Sequence, residues 1–115
     1  MNDRFKFRIP MFTDKDTFIG FQYLELGEQE ECTLCGYNGE PQLCTGFKDK
    51  NETLIYEGDV VGFKPEVFGR PKQIIWDECH YILKDTLIIL CNMEIEKFGL
   101  EVIGNVYENP ELLSY

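Results

Sequence analysis

The chain reads as a mostly β protein, a small antiparallel barrel or roll that closes on a short C-terminal helical turn. Three observations predict this. Short apolar runs alternate along the sequence with Gly, Asn, Asp and Pro clusters, the punctuation of sheets. The stretch Cys44–Phe63 reads as strand, tight turn, short strand, Gly-Asp corner and strand. Leu100–Leu113 alternates at period two and then runs into Asn109-Pro110-Glu111, an Asn cap followed by Pro at a first helical position.

Taken in order, the first strand is expected over residues 4–9, with Phe5, Phe7 and Ile9 facing the core by alternation. Pro10 ends its regular ladder, having no N–H to donate. Asp14-Lys15-Asp16 is a turn, and Thr17–Leu26 is a second β stretch carrying Phe18, Phe21 and Tyr23. Residues 27–41 form a polar excursion at the surface.

Strands at 42–47 and 54–63 flank the polar turn Lys48-Asp49-Lys50-Asn51-Glu52. Within the second of them Gly58 permits a positive φ, and Asp59 accepts hydrogen bonds from nearby amides. A strand broken by Gly-Asp and resumed at once by Val60-Val61 suits a strongly bent sheet that turns a corner.

Pro65, Gly69 and Pro71 mark a loop. The span 73–83 holds a strand pair, Gln73–Trp76 and Tyr81–Leu83, around Asp77-Glu78. Leu87–Cys91 is a continuous apolar run, expected as a buried strand with a short helix as the alternative. Met93–Gly99 is expected as a turn or a single helical turn. The last strand is placed at 100–107, where Gly104-Asn105 marks a bulge or a close backbone approach. The total is seven to nine strands with almost no helix.

Two runs carry a resemblance. Thr45-Gly46-Phe47-Lys48-Asp49-Lys50-Asn51 with Ile55-Tyr56-Glu57-Gly58-Asp59-Val60-Val61 is one. Glu101-Val102-Ile103-Gly104-Asn105-Val106-Tyr107-Glu108-Asn109-Pro110-Glu111-Leu112-Leu113 is the other. With the opening Arg4-Phe5-Lys6-Phe7-Arg8, a basic-aromatic first strand, they resemble the YopX family of bacteriophage and prophage proteins. Together they frame nearly the whole chain. Glu52 departs from the pattern, standing where a Gly is usual in the turn, and the Cys32–Cys35 region has no counterpart in it. The resemblance implies a mostly β fold with SH3-like barrel character and implies no activity.

Length and composition bound the function. A chain of 115 residues with 43% hydrophobic and 14% aromatic residues fits one globular domain, residues 1–115. Eleven Lys and Arg against 21 Asp and Glu give a net charge of −10, which opposes non-specific binding to a phosphate backbone. No apolar run reaches the ~18 residues a spanning helix needs, and the N-terminus shows no secretory signal. The expectation is the cytoplasm of a bacterial host, where the five cysteines are free thiols or metal ligands.

Candidate chemistry is sparse. Cys32-Thr33-Leu34-Cys35-Gly36 has the form of a zinc knuckle, but four ligands require Cys44 with Cys79 or His80, and no second Cys-x-x-Cys exists. A loop with two free thiols and no metal is the expectation, and no cofactor is expected either. Cys79 and His80 are neighbours on an expected strand and so point to opposite faces, which excludes them as a pair. A catalytic reading needs one pocket that gathers Asp59, His80 and Glu108. Chance carboxylate pairs abound in so acidic a chain, and no phosphate loop or nucleophile elbow is present. No catalysis is expected.

Binding is the better reading. Tyr56, Trp76, Tyr81 and Tyr107 either fill the core or line a groove, as SH3-like barrels do when they bind Pro-rich or basic peptides. Tyr56, Asp59, Trp76 and Tyr107 are the candidate binding residues. A groove with an acidic rim favours a protein or peptide partner. The alternative is a nucleic-acid-associated protein that uses a basic face formed by Arg4, Lys6 and Arg8. Self-association into a homo-oligomer is expected through sheet edges, the candidates being the first strand and Leu100–Tyr107.

Overall fold

In the computed structural model, the described residues are 5–25, 27–28, 36–63 and 70–113. Among them nine strands build two antiparallel sheets that curl into a half-barrel. The strands are β1 (Lys6–Thr13), β2 (Phe18–Glu25), β3 (Gly36–Asn38), β4 (Gln42–Lys48), β5 (Leu54–Tyr56), β6 (Asp59–Gly62), β7 (Lys72–Asp77), β8 (His80–Leu83) and β9 (Glu101–Asn105). One helix, α1 (Asn92–Phe98), and a 3-10 turn at Pro110–Leu113 complete them. The first sheet runs β2-β1-β4-β5 with β3 also on β1, and the second runs β8-β7-β6-β9.

Turn chemistry sets most of this locally. Between β1 and β2 the Thr13 hydroxyl accepts the N–H groups of Lys15 and Thr17, and Asp16 takes a φ of 63°. Between β4 and β5 the Asp49 carboxylate accepts the N–H groups of Asn51 and Thr53, at 2.8 and 2.9 Å. The left-handed residue of that turn is Glu52, with φ 66°. A glycine suits such a backbone better, so the departure from the family pattern falls on the position that strains it. In β4 the ladder is interrupted between Cys44 and Lys48. There the Thr45 hydroxyl donates to the Ile55 carbonyl and accepts the Phe47 N–H.

Glu57-Gly58 hands the chain from one sheet to the other. The Glu57 N–H bonds back to Leu43 in the first sheet, and the Gly58 N–H bonds to Ile74 in the second. Gly58 has φ +88°, and a Cβ there would collide with the Gln42 carboxamide. The corner predicted at Gly58-Asp59 is therefore present. The hydrophobic core, Ile55, Val61, Ile74, Leu83, Leu90, Ile95 and Leu100, gathers with Phe47, Phe63 and Phe98 packed alongside.

Several expectations need correction. Pro10 does not end β1. On that side β1 pairs with β4 at residues 7–8 and with β3 at residues 11–13, so Pro10 falls where the ladder changes partner. Its carbonyl accepts the Gly39 N–H from the same side, and its own missing N–H leaves no ladder bond broken. The excursion at 27–41 contributes a strand, β3, to the sheet. Leu87–Cys91 is not a strand: it touches β8 through one bridge, Ile82 to Ile89, and Leu87 is fully exposed. Asp85 at φ 64° and the Thr86 hydroxyl bonded to the Leu83 carbonyl turn the chain there. Residues 93–99 are more than a turn. They belong to α1, which buries Ile95 and ends at Gly99 in the left-handed conformation with its N–H on the Ile95 carbonyl.

The last strand behaves as expected at its glycine. The register between β6 and β9 shifts between Val60 and Val61, so Ile103 is the extra residue of a bulge. A Cβ on Gly104 would meet the Asn109 carboxamide. That carboxamide accepts the Asn105 N–H at 3.3 Å, beside the 3-10 turn that Asn109 introduces.

Candidate functional site

Of the opening strand's side chains, Ile9 is buried and Phe5 is 49% exposed, while Arg8 is buried at 3% exposure. This overturns the two-faced reading of that strand. Arg8 does not belong to a solvated basic face. Its guanidinium lies 2.8 Å from Asp59 Oδ1, donates from Nε to Gln42 Oε1 at 2.8 Å, and reaches the Glu57 carbonyl at 3.3 Å. The Phe21 ring lies 4.1 Å from Arg8 Cζ and the Tyr56 ring 5.0 Å. The guanidinium thus satisfies its donors in plane and its faces against aromatic rings, which is how a buried arginine is tolerated.

Asp59 holds the other half of this arrangement. Its Oδ2 accepts the Tyr56 N–H at 2.8 Å, so the carboxylate braces the corner as its sequence position suggested. Burial pushes the Asp59 carboxyl up from the ordinary range, opposed by Arg8 and by the Tyr56 amide. Burial likewise pushes the Tyr56 hydroxyl up to about 12, with smaller contributions from Cys44 and Tyr23. Tyr56 is a neutral phenol at neutral pH.

Above this pair opens a cleft of about 550 Å³. Its floor is Arg8, Tyr56 and Asp59; its walls include Tyr23, Leu54 and Asn105, and Lys6, Lys48 and Glu52 stand at it with charged heads. Tyr23 is 61% exposed and meets Tyr56 edge-to-face at 5.6 Å. The charges here are mixed, two lysines against Glu52, so the acidic rim expected of a groove is not what lines this cleft.

The four candidate binding residues do not share one site. Tyr56 and Asp59 form the cleft. Tyr107 stacks on Phe18 at 5.2 Å and meets Phe12 and Phe21 edge-on, with its ring in an aromatic cluster beside a separate depression at Glu57 and Gly58. Trp76 is 49% exposed and packs edge-to-face on Tyr81 at 4.9 Å, in a second concavity with His80. The triad of Asp59, His80 and Glu108 is not gathered either: His80 lines that second concavity, and Glu108 accepts from the Asn105 carboxamide at 3.3 Å.

The sheet edges also differ from expectation. The first strand is interior to its sheet, flanked by β2 on one side and by β3 and β4 on the other. β9 is an edge, but it is covered. The Asp49 carboxylate accepts the Val102 N–H at 2.8 Å, the Lys50 N–H donates to the Leu100 carbonyl, and Asn109 takes the Asn105 N–H. Polar groups of the chain itself thus occupy the backbone that a second chain would need.

Cys79 and His80 are in contact, with Sγ 3.3 Å from Nδ1. The strand geometry that excluded them as a pair does not apply, because Glu78 has φ 56° and Cys79 lies in the hairpin turn. Cys44 is buried and Cys91 half-buried. The Cys32 and Cys35 pair and Arg4 lie outside the described residues. Among the described residues no group of three or more His, Cys, Asp or Glu is placed to hold a metal ion. No described helix is long and apolar enough to cross a membrane.

Sequence reasoning missed Arg8, Tyr23 and Lys48 as neighbours. The only local signal was an arginine between Phe7 and Ile9 in an alternating basic and apolar run, which reads equally well as a solvated face.

Comparison with solved structures finds protein EF1440 from Enterococcus faecalis, with a TM-score of 0.62 over 95% of this chain and 97% of that one, at 24% identity. That likeness concerns the fold. No curated protein sequence matches the chain. Residues 21–114 match the YopX protein family, taking in the Gly58-Asp59 corner, the Asp49 turn and the β9 bulge, and the chain belongs to that family.

Proposed function

We propose that the protein is a non-catalytic accessory protein that works through contact with a protein partner, and that the cleft over Arg8 and Asp59 is its contact site. The observation that carries this reading is a contrast of charge. On a chain of net charge −10, the charges lining one aromatic-walled cleft besides the buried Arg8–Asp59 pair are Lys6 and Lys48 against the single Glu52, a local excess of positive charge. Such a cleft suits an acidic segment that also offers an apolar side chain to Tyr23 and Leu54.

A second copy of this chain is the first partner to test, because its exposed Asp77-Glu78 turn has the required sign. The contact would be heterologous, cleft to turn, and weakened as salt screens it within a Debye length of about 10 Å at 0.1 M. The setting that goes with this reading is the cytoplasm of a bacterial host that carries a phage or prophage.

Light scattering at low and high salt tests the proposal. The expected result is an oligomer at low salt that dissociates at high salt, and one that Lys48→Glu prevents. A monomer mass at both salt concentrations overturns self-association.

A further inference from the structure

The tip of the β7–β8 hairpin carries chemistry that neither the cleft nor the corner uses. Cys79 is exposed, and its Sγ lies 3.3 Å from His80 Nδ1. A thiol within hydrogen-bond reach of an imidazole is the arrangement that converts a weak nucleophile into a strong one. Beside the pair is a concavity of about 480 Å³ walled by Phe47, Trp76, Tyr81 and Leu90. A reactive sulfur and an apolar seat therefore stand together.

We propose that Cys79 is a reactive thiol, with His80 as its proton acceptor, that takes up small uncharged or cationic disulfides as a mixed disulfide. The proton on Sγ passes to Nδ1, which is the bare nitrogen when the ring carries its hydrogen on Nε2. The thiolate attacks one sulfur of the incoming disulfide. The Cys79 S–S bond forms as the disulfide's own S–S bond breaks, and the departing thiolate is protonated by the imidazolium. Cys79 is oxidised to the mixed disulfide, and the leaving half is reduced to a free thiol.

Charge selects the reagent. Asp77 and Glu78 on the same turn are both exposed and repel an anionic disulfide. The residues that β4 and the segment before α1 bring to the concavity, Thr45, Gly46, Phe47 and Leu90, carry no charge. Tyr81 is the remaining titratable group of the lining, and burial pushes its hydroxyl up, so it stays neutral.

The test treats the full chain with a substoichiometric amount of dipyridyl disulfide and maps the modified cysteine by peptide mass. Cystamine serves as the cationic reagent and dithiobis(nitrobenzoate) as the anionic one. Cys79 is expected to react first, and the ratio of its rate with cystamine to its rate with dithiobis(nitrobenzoate) is expected to exceed the same ratio for a small free thiol, which cancels the difference in leaving group. His80→Gln is expected to slow Cys79 by roughly tenfold or more at neutral pH while leaving Cys91 unchanged. First modification at Cys91, Cys32 or Cys35, or an unchanged Cys79 rate in His80→Gln, overturns the proposal. Should that variant not fold, the wild-type pH profile decides. A rate at Cys79 that falls less steeply than the rate at Cys91 as pH is lowered supports His80 as the acceptor. Parallel profiles for the two thiols refute it.

Discussion

Arg8 and Asp59, from the first and sixth strands, form an ion pair at 2.8 Å in which each side chain is only 4% exposed. The contact ties β1 of one sheet to β6 of the other across the Glu57-Gly58 corner. It is the one described ion pair so deeply buried, and it forms the floor of the cleft. Breaking a pair of this kind strands the remaining charge in the interior, which is more costly than never having built it. Arg8→Met or Asp59→Leu alone is therefore expected to destabilise the fold by roughly 3–5 kcal/mol. The double change Arg8→Met with Asp59→Leu should cost much less than the two single effects added. Denaturant midpoints for the four proteins check this, and additive losses would show that the pair is not coupled.

Gly58 joins the two sheets with a φ of +88° and no room for a Cβ beside Gln42. Gly58→Val should destabilise the fold by roughly 1–3 kcal/mol from the backbone alone. The Gln42 side chain that a Cβ there would strike also accepts from Arg8 Nε, so displacing it should add to the loss. A melting temperature unchanged by Gly58→Val would remove the corner argument.

Glu52 occupies a left-handed position, φ 66°, in the turn that also carries Asp49. A left-handed non-glycine residue costs roughly 1–2 kcal/mol, and part of that is returned by the greater freedom of glycine in the unfolded chain. Glu52→Gly should raise the melting temperature. A fall in melting temperature would mean that the Glu52 side chain stabilises the turn by more than its backbone strain costs.

The Asp49 carboxylate accepts the N–H groups of Asn51, Thr53 and Val102, so one side chain both closes the β4–β5 turn and covers the β9 edge. Hydrogen bonds to a charged acceptor are worth about 1.5–3 kcal/mol each. Asp49→Ala should destabilise the fold by at least one such bond and leave the β9 edge open. Faster amide exchange at Val102 than elsewhere in β9, together with increased aggregation, is the expected signature.

Burial pushes the Tyr56 hydroxyl from 10.0 up to about 12. The folded chain therefore keeps this proton across a range in which the unfolded chain releases it. The stability that Tyr56 contributes is complete below pH 10.0 and is lost as pH rises to about 12. The melting temperature of wild type should fall relative to that of Tyr56→Phe over that alkaline interval. A difference that stays constant across it would place the hydroxyl in water.

The sequence by itself determined the class of fold and its corners. Turn residues act within a few positions of themselves, so Asp49, Gly58 and the Gly104-Asn105 bulge could be read from local chemistry, and each is where the pattern put it. The half-barrel follows from those corners and from the short strands between them. Alternation along a strand separates two faces but does not say what covers each one. Ile9 is buried as alternation placed it, but Arg8 and Phe5 were therefore misassigned: β1 lies inside its sheet, and the arginine face is sealed by Phe21, Tyr56 and Asp59. Pro10 reads as a strand end until a strand that changes partners leaves it a place without a ladder bond. The cleft and the Cys79–His80 contact depend on a distant chain segment and on one left-handed residue, Glu78. Tertiary structure decided these, because the cover over a sheet face comes from residues far away in sequence, and a single φ in a turn re-aims every side chain beside it.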